Sequence, residues 1–235
     1  MTSWHKGPLL AFDTETTGPD PEEARVVTAT CAWITPGQPP AIETWLIDPG
    51  CEIPEGATAV HGITTAKAQA EGQSPADALF TIAARVGTAI AQGIPLVAFN
   101  ACFDLTVLDR ELARHGMHLD LSEVLVVDPF VLDKHVDPYR KGRRTLTAVC
   151  EHYRIQLDGA HDATADALAA ARVAWRLAET YLALQVPLED LHAAQATWRA
   201  EQCASLAEYF TRQGNPQDVR GEWPLLPRTR EEVPA

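Results

Sequence analysis

The chain has 235 residues and a net charge of −13, because 32 acidic residues outnumber 19 basic ones. Its 46% apolar and 22% charged residues match a folded globular protein and exclude disordered and fibrous chains. The acidic balance argues against a protein that holds nucleic acid by bulk electrostatics, and leaves only a local basic patch for that purpose.

Five strands and five helices are predicted from apolar patterning and helix-capping signals. Strands are predicted at residues 8–13, 26–34, 42–47, 95–99 and 124–127. Helices are predicted at residues 75–91, 102–115, 145–153, 163–184 and 188–212. The second and third strands are expected to pair as a hairpin. The alternation that follows them is typical of an α/β fold.

A cytoplasmic protein is predicted from the absence of targeting signals. The longest charge-free run, residues 86–103, contains too many polar residues for a bilayer span, and the first residues lack the layout of a signal peptide. The five cysteines are odd in number and far apart, which fits neither a zinc site nor a disulfide framework. We expect them to be reduced, small core residues.

Two carboxylates lie at the end of the first predicted strand. Asp13 and Glu15 are two residues apart, so in extended chain they point to the same side. Neighbouring carboxylates repel each other unless a cation lies between them, and hard oxygen ligands suit Mg²⁺ or Mn²⁺. A solvated turn at the strand end is the alternative interpretation.

Two further acids and a histidine are candidates for the same site. Asp104 follows the fourth strand, and if that strand lies beside the first, Asp104 joins Asp13 at the sheet edge where open α/β sheets bind ligands. Asp is also favoured in any first helical turn by the helix dipole. Asp162 is a good N-cap, so His161 is expected in the preceding loop and Asp166 in the first turns of the helix.

These residues together resemble the DEDDh family of 3′-to-5′ exonucleases, which includes the proofreading epsilon subunit of bacterial DNA polymerase III and ribonuclease T. Three motifs match in order, Asp-x-Glu-Thr-Thr-Gly at residues 13–18, Asn-x-x-Phe-Asp at 100–104 and His-x-Ala-x-x-Asp-Ala at 161–167. The family's His-Gly-Ile segment matches at 61–63. The resemblance covers residues 9–179.

The resemblance implies an RNase H-like exonuclease fold, with a five-stranded mixed sheet flanked by helices and an antiparallel second strand. We expect this domain at residues 7–185, a C-terminal helix at 186–213, and an extended or disordered tail at 214–235. The tail is rich in proline and charge, which favours that interpretation.

The resemblance also implies a role for each acid and for the histidine. Two divalent cations, Mg²⁺ or Mn²⁺, would be held by Asp13, Glu15, Asp104 and Asp166. His161 would act as the general base. The implied reaction releases nucleoside 5′-monophosphates from DNA 3′ ends, with single-stranded DNA favoured. Two alternatives stay open: an RNA-trimming exonuclease similar to ribonuclease T, and an inactive exonuclease fold that serves as a nucleic-acid-binding or polymerase-associated module.

Substrate contacts are expected in three groups. The 3′-terminal nucleotide is expected near the first two motifs, at Thr14, Thr16, Thr17 and Asn100. The rings of His61 and Phe103 are candidates for base stacking, with core packing as the alternative. Residues 134–144 form a basic segment in an acidic chain. This segment is expected to hold the phosphate backbone, with a solvated loop as the alternative. The cations assigned to that contact are Arg140, Lys141, Arg143 and Arg144.

Overall fold

The structure, a computed structural model, describes residues 3–228 except 158 and 160. Its centre is a five-stranded mixed sheet in the order β3-β2-β1-β4-β5. The strands are β1 (Leu9–Thr16), β2 (Val26–Ile34), β3 (Ala41–Leu46), β4 (Leu96–Val97) and β5 (Val126–Val127). β2 runs antiparallel to both β1 and β3, whereas β4 is parallel to β1 and to β5. The expected RNase H-like fold is therefore confirmed.

Eight α-helices flank the sheet within the described residues. They are α1 (Glu55–His61), α2 (Thr65–Glu71), α3 (Pro75–Ala91), α4 (Ala101–Arg114), α5 (Pro129–Val136), α6 (Leu146–Tyr153), α7 (Ala163–Thr180) and α8 (Leu188–Arg212). Single 3₁₀ turns occur at Trp4–Lys6 and Leu182–Leu184. No helix in this part of the chain is both long and apolar enough to cross a bilayer.

The central strand β1 is buried on both faces, and its side chains alternate between two hydrophobic clusters. Leu10 and Phe12 belong to the cluster that includes residues of α3 and α4. Leu9 packs on the other face with α6 and α7, and Ala11 meets small residues of α7 on that face. Because the side-chain period of a strand is two, the odd-numbered residues of β1 face α7 and the even-numbered residues face α4.

Three helices in the structure were not predicted from the sequence. Helix α1 has no buried residue, and α2 buries only Ala68, so neither shows an apolar stripe. Helix α5 begins after the N-cap Asp128, and its last residues lie in the basic segment. The charges of that segment interrupt the apolar pattern by which a helix is predicted. The predicted helix 163–184 ends at Thr180, because the chain then turns to bury Leu184, whose carbonyl oxygen accepts the indole N–H of Trp4 at 2.8 Å.

The cysteines are free, and four of them are buried as expected. Cys31, Cys102, Cys150 and Cys203 lie in the interior. Cys51 is exposed, in the loop that precedes α1, so the expectation of a core position was wrong for this residue. Its neighbours Gly50 and Glu52 are exposed as well.

Helix α8 completes the sheet on its β5 side. The side-chain amide of the buried Gln195 donates to the carbonyl oxygen of Val126 at 2.8 Å, and its oxygen accepts the N–H of Asp128 at 2.7 Å. These bonds satisfy backbone groups at the edge strand, which would otherwise be buried without partners. The division into a domain at 7–185, a helix at 186–213 and a tail at 214–235 stays a prediction.

The described part of the tail, residues 214–228, is extended and packs on the domain. Trp223 and Leu226 are buried in the same cluster as Leu10 and Phe12. The Arg110 guanidinium donates to the carbonyl oxygen of Leu226 at 3.1 Å. Residues 229–235 of the predicted tail lie outside the described residues.

Replacing Trp223 with Ala tests this packing. Emptying a buried indole site costs about 3–5 kcal/mol of unfolding free energy, because packing contacts are lost and a cavity remains. We expect a loss of that size for Trp223→Ala in urea denaturation at pH 7, and a smaller loss for Trp223→Phe. Leu182→Ala, at a 76% exposed position, serves as the control. An equal effect of Trp223→Ala and Leu182→Ala would contradict the packing of this segment.

Candidate active site

Asp13 and Glu15 extend the face of β1 that meets α7. Both are half-buried, and each is paired with a threonine of β2, Asp13 with Thr30 and Glu15 with Thr28. β4 pairs with β1 only as far as Ala11, so the end of β1 is free on that side. This free edge is where the neighbouring acids approach.

Asp104 reaches the free edge of β1 from the first turn of α4. Its Oδ1 accepts the backbone N–H of Thr14 at 3.0 Å and the Thr14 hydroxyl at 2.7 Å. The N–H of Thr14 is a group that a longer β4 would have bound, so the carboxylate replaces the missing strand. Asp104 is thereby fixed to the strand that carries Asp13 and Glu15.

Asp166 approaches the same point from α7. Alanines at the contact of α7 with β1 and β2, such as Ala11 and Ala167, allow the helix to lie close to the sheet. The N-cap Asp162 accepts the N–H groups of Thr164 and Ala165, both at 3.0 Å, and so begins the helix just before Asp166.

His161 is held beside Asp166 by its backbone. Its φ of 67° lies in the left-handed region, and its N–H donates to Asp166 Oδ2 at 3.1 Å. One ring nitrogen of His161 and one carboxylate oxygen each of Glu15 and Asp166 all lie within 4.8 Å of one another. The predicted convergence of the third motif on the first is therefore present in the structure.

Burial raises the pKa of all four carboxyl groups, and neighbouring acidic charges add to it. Burial, and then the charges of Asp104, Asp166 and Glu15, raise the pKa of Asp13 well above its usual value. Burial and the neighbouring acids raise the pKa of Glu15 to about 8. Burial raises the pKa of Asp104 to about 7 against the opposing effect of the Thr14 hydrogen bonds, and burial also raises that of Asp166. The cluster therefore favours binding of protons or of a cation.

The cluster fits a hard divalent cation. Asp166 Oδ1 is buried and has no hydrogen-bond partner, so it is an acceptor with a free lone pair beside Glu15. An all-carboxylate oxygen set with a neighbouring imidazole suits Mg²⁺ or Mn²⁺, whose charge would offset the repulsion between the acids. The observed arrangement is thus a possible metal site.

A cleft of about 210 Å³ adjoins the acids. Glu15, His61, Lys67 and His161 are among the residues that line it. The Nδ1 of His61 accepts the N–H of Ile63 at 3.1 Å, while its Nε2 is buried without a partner. Burial lowers the pKa of His61. Lys67 was not singled out from the sequence, and a lone lysine on a short helix offers no signal that would have found it.

The three threonines of the first motif already make internal hydrogen bonds. The Thr14 hydroxyl binds Asp104, the Thr16 hydroxyl donates to the carbonyl oxygen of Gly18 at 2.8 Å, and the Thr17 hydroxyl accepts the N–H of Arg25 at 2.9 Å. These bonds shape the turn after β1. Contacts of the threonines with substrate stay a prediction.

Asp128 supports the turn that carries the second motif. Asn100 has a left-handed backbone, with φ of 66°, and its N–H donates to Asp128 Oδ1 at 2.9 Å. The N–H of Ala101 donates to Asp128 Oδ2 at 3.0 Å, so one buried carboxylate begins α4. Phe103, in the first turn of α4, is half-buried against the core. Asp128 was not predicted, although an acid directly after an apolar strand is the signal that identified Asp13.

The basic segment is divided between paired and exposed cations. Arg140 and Arg144 bind the fully buried Asp133, with Nη1 contacts at 2.8 Å from each guanidinium. Lys141 and Arg143 are exposed. Two of the four predicted phosphate contacts therefore have a structural role in holding the loop against α5, and the phosphate contacts themselves stay a prediction.

Sequence comparison shows which known proteins this chain is similar to. Residues 10–174 match the family model described as Exonuclease, RNase_T. A DNA polymerase III subunit epsilon-like protein of Rhodobacter capsulatus is 33% identical over 174 residues, which are 72% of this chain and 23% of that protein.

Solved structures of exonuclease I are similar in fold. The E. coli enzyme in complex with a dT13 oligonucleotide has a TM-score of 0.60 at 20% identity, over 76% of this chain and 43% of that chain. Exonuclease I from Methylocaldum szegediense has a TM-score of 0.63 at 22% identity, over 76% and 42% respectively. The chain spans less than half the length of each of these relatives.

The raised pKa of Glu15 predicts a pH-dependent stability without divalent cations. A carboxyl whose pKa rises from 4.5 to about 8 on folding stabilises the fold at low pH, and this contribution is lost as the pH rises through 8. Glu15→Gln removes the charge at nearly constant volume. We expect its Tm in EDTA to match the wild type at pH 4.5 and to exceed it at pH 8.5 by at least about 2–4 °C, the equivalent of 1 kcal/mol in a chain of this size.

Glu71→Gln, on the exposed side of α2, is the matched control for this measurement. Its difference from the wild type should stay constant between the two pH values. A difference for Glu15→Gln that is equally independent of pH would contradict the assignment of repulsion to this cluster.

Proposed function

The chain belongs to the DEDDh-type family of 3′-to-5′ exonucleases, and from this premise we propose that it releases nucleoside 5′-monophosphates from the 3′ ends of single-stranded or frayed DNA. The observation that carries the proposal is the convergence of Glu15, His161 and Asp166, within 4.8 Å, on the strand end to which Asp104 is bound. An inactive scaffold would have no use for four mutually repelling acids. The complete set supports hydrolysis.

Asp13, Glu15, Asp104 and Asp166 would hold two divalent cations, Mg²⁺ or Mn²⁺. Bound cations supply Lewis-acid stabilisation of the charge on the scissile phosphate and acidify the attacking water. The acids themselves are fixed by separate elements, Asp13 and Glu15 by the sheet, Asp104 by Thr14, and Asp166 by the His161 N–H. This fixed geometry means that little reorganisation is needed when the substrate binds.

His161 is proposed to take the proton of the attacking water. Its ring lies beside Glu15 and Asp166, and its exposure lets the proton pass on to solvent. A neutral imidazole can accept a proton near neutral pH, which a carboxylate bound to a cation does poorly. The backbone bond from His161 to Asp166 keeps the base in a constant position relative to the acids.

The 3′-terminal nucleotide is proposed to enter the cleft beside the acids. His61 and Lys67 line that cleft together with His161, so a base can stack on the His61 imidazole and a phosphate can meet the ammonium group. Asn100 and Phe103 approach the acids from the turn before Asp104 and would contact the next nucleotide. The exposed Lys141 and Arg143 are proposed to hold phosphates further along the strand.

The preference for DNA is supported by two of the relatives. One is named as a DNA polymerase III subunit epsilon-like protein, and the other binds a dT13 oligonucleotide. The acids and cations recognise the scissile phosphate, which DNA and RNA share. RNA trimming is therefore the alternative outcome of the experiment below.

Hydrolysis by the purified chain tests the proposal. We expect release of nucleoside 5′-monophosphates from 3′-labelled single-stranded DNA, faster than from duplex DNA or from RNA of the same sequence, with Mg²⁺ or Mn²⁺. Asp13→Asn and Asp166→Asn should each abolish hydrolysis while the chain stays folded, because each removes one charge at nearly constant volume. Substantial nuclease activity in either variant would sink the assignment of the acids, and faster cleavage of RNA would favour the alternative substrate.

His161→Ala should lower turnover by roughly 10²- to 10⁴-fold, the usual contribution of a general base. Because the ring of His161 is exposed, free imidazole can reach the vacated space and should restore part of the rate. His152→Ala, at an exposed position on α6, is the control and should leave turnover unchanged. Unchanged turnover in His161→Ala would show that another group takes the proton.

A further inference from the structure

Two adjoining cavities form a groove between α5 and α8, which we call the α5–α8 groove. Their volumes are about 480 and 500 Å³, and they share Lys134 of α5 and Leu206 of α8. The first cavity reaches Asn100, one turn before Asp104, and the second reaches Tyr209. The groove therefore leads away from the acids, and its α8 wall lies outside the residues 10–174 that match the family model.

Two cations in the groove, Lys134 and Arg199, make no ion pair within the described residues, and the Nε of Arg199 is buried without a hydrogen bond. The charge of Arg199 does act on the buried Asp128, where it opposes the rise in pKa that burial causes. The Lys134 Nζ lies 5.0 Å from the centre of the Phe130 ring, and the Arg199 guanidinium carbon lies 5.7 Å from it. By contrast, Arg140 and Arg144 nearby share Asp133.

Two cations held this close without an ion pair attract an anion. Their charges repel each other, and repulsion by Arg199 adds to burial in lowering the pKa of Lys134. The acid that lines the groove is Glu201, which is exposed in the outer cavity near Tyr209. In a chain of net charge −13, the groove is thus a local site for a polyanion.

Aromatic rings lie along the groove on either side of these cations. Phe99 and Phe130 meet edge to face at 5.6 Å at the end near Asn100. Tyr209 is 49% exposed at the far end. Phe99 and Phe130 are half-buried, whereas Tyr209 is exposed. Proteins that bind single-stranded nucleic acid combine such rings, on which bases stack, with cations that meet the phosphates.

We propose that the α5–α8 groove binds the single strand on the 5′ side of its 3′ end, with phosphates at Lys134 and Arg199 and bases at Phe130 and Tyr209. This proposal rests on the proposed function, since it takes the 3′ end to lie at the acids. Along α8, Arg199 and Tyr209 are about 15 Å apart at 1.5 Å per residue, so only a strand several nucleotides long fills the groove. An acidic peptide would match the cations but would have no reason to continue to Asn100 and the acids.

Binding measured in EDTA separates the groove from the reaction. The probe is 5′-fluorescein-labelled (dT)20, whose anisotropy gives Kd without hydrolysis. Each phosphate contact to a single strand contributes about 0.7 to the slope of log affinity against log salt. We therefore expect the double variant Lys134→Ala and Arg199→Ala to flatten that slope by about 1.4 and to raise Kd roughly tenfold at 0.1 M salt.

The matched control removes two cations elsewhere. Arg172 and Arg176 are exposed on α7, and Arg172 lines a separate cavity near Leu9, at the opposite end of β1 from the acids. Replacing both with Ala makes the same change in net charge and should leave the slope unchanged. Equal slopes for the groove variant and the wild type would overturn the proposal.

The stacking contact is tested at Tyr209. Tyr209→Ala should raise Kd for (dT)20 by about fivefold, the lower limit for losing one base stack, whereas Tyr209→Phe keeps the ring and should bind like the wild type. A labelled (U)20 probe shows whether the groove takes RNA as well as DNA. Equal binding by Tyr209→Ala and Tyr209→Phe would show that no base stacks on the Tyr209 ring, which would contradict this part of the proposal.

Failure of the groove proposal is distinguishable from failure of the proposed function. If wild-type protein hydrolyses (dT)20 but its groove variant binds the strand as tightly as the wild type, only the groove proposal fails. If the wild type hydrolyses no nucleic acid, the proposed function fails, and binding in EDTA is still measured. Binding of labelled polyglutamate that depends on Lys134 and Arg199, with (dT)20 binding unchanged, would mark the groove as a peptide site and overturn the proposal.

Discussion

Mutual repulsion of four carboxylates at one strand end is the constraint on which the rest of this structure depends. Burial and proximity raise the pKa of each acid, so the fold has to hold the charged groups together at a cost in stability. It does so by taking them from three elements that are already packed for other reasons. β1 is central in the sheet, α4 is bound to it through Asp104 and Thr14, and α7 approaches it across alanines. The positions of the acids are therefore set by elements that also build the core.

A second layer of contacts links this site to the part of the chain beyond the family region. Asp128 holds the start of α4, while its own N–H is held by Gln195 of α8, and the indole of Trp223 lies 3.4 Å from its Oδ2. Further along α4, the buried Arg110 is paired with Glu22, which follows the first motif. Buried ion pairs contribute little net stability, but the loss of one partner is costly, so they fix the relative position of the elements they join.

The sequence alone was sufficient to predict the features that depend on local residue patterns. The strand runs, the helix beginning at Asp162 and the three motifs are all visible in short windows, and the fold and family follow from them. Features that depend on distant partners were not predictable. Asp133 is a charged residue that is fully buried, and nothing near it in sequence indicates that Arg140 and Arg144 will cover it. The four cations assigned to the phosphate contact therefore looked free, when two of them are structural.

Local cations are the means by which a chain of net charge −13 can attract a polyanion. At long range the net charge of −13 and the acids of the site both repel a nucleic acid strand, and attraction begins only within about one Debye length of local cations, about 8–10 Å. Exposed cations such as Lys141 and Arg143 can start the encounter, but salt screens them strongly. Partly buried cations such as Lys134 and Arg199 are screened less, because protein replaces part of the surrounding water. In the proposed α5–α8 groove, a strand that reaches them would be held by contacts that stay strong at physiological salt, without added positive charge on the rest of the surface.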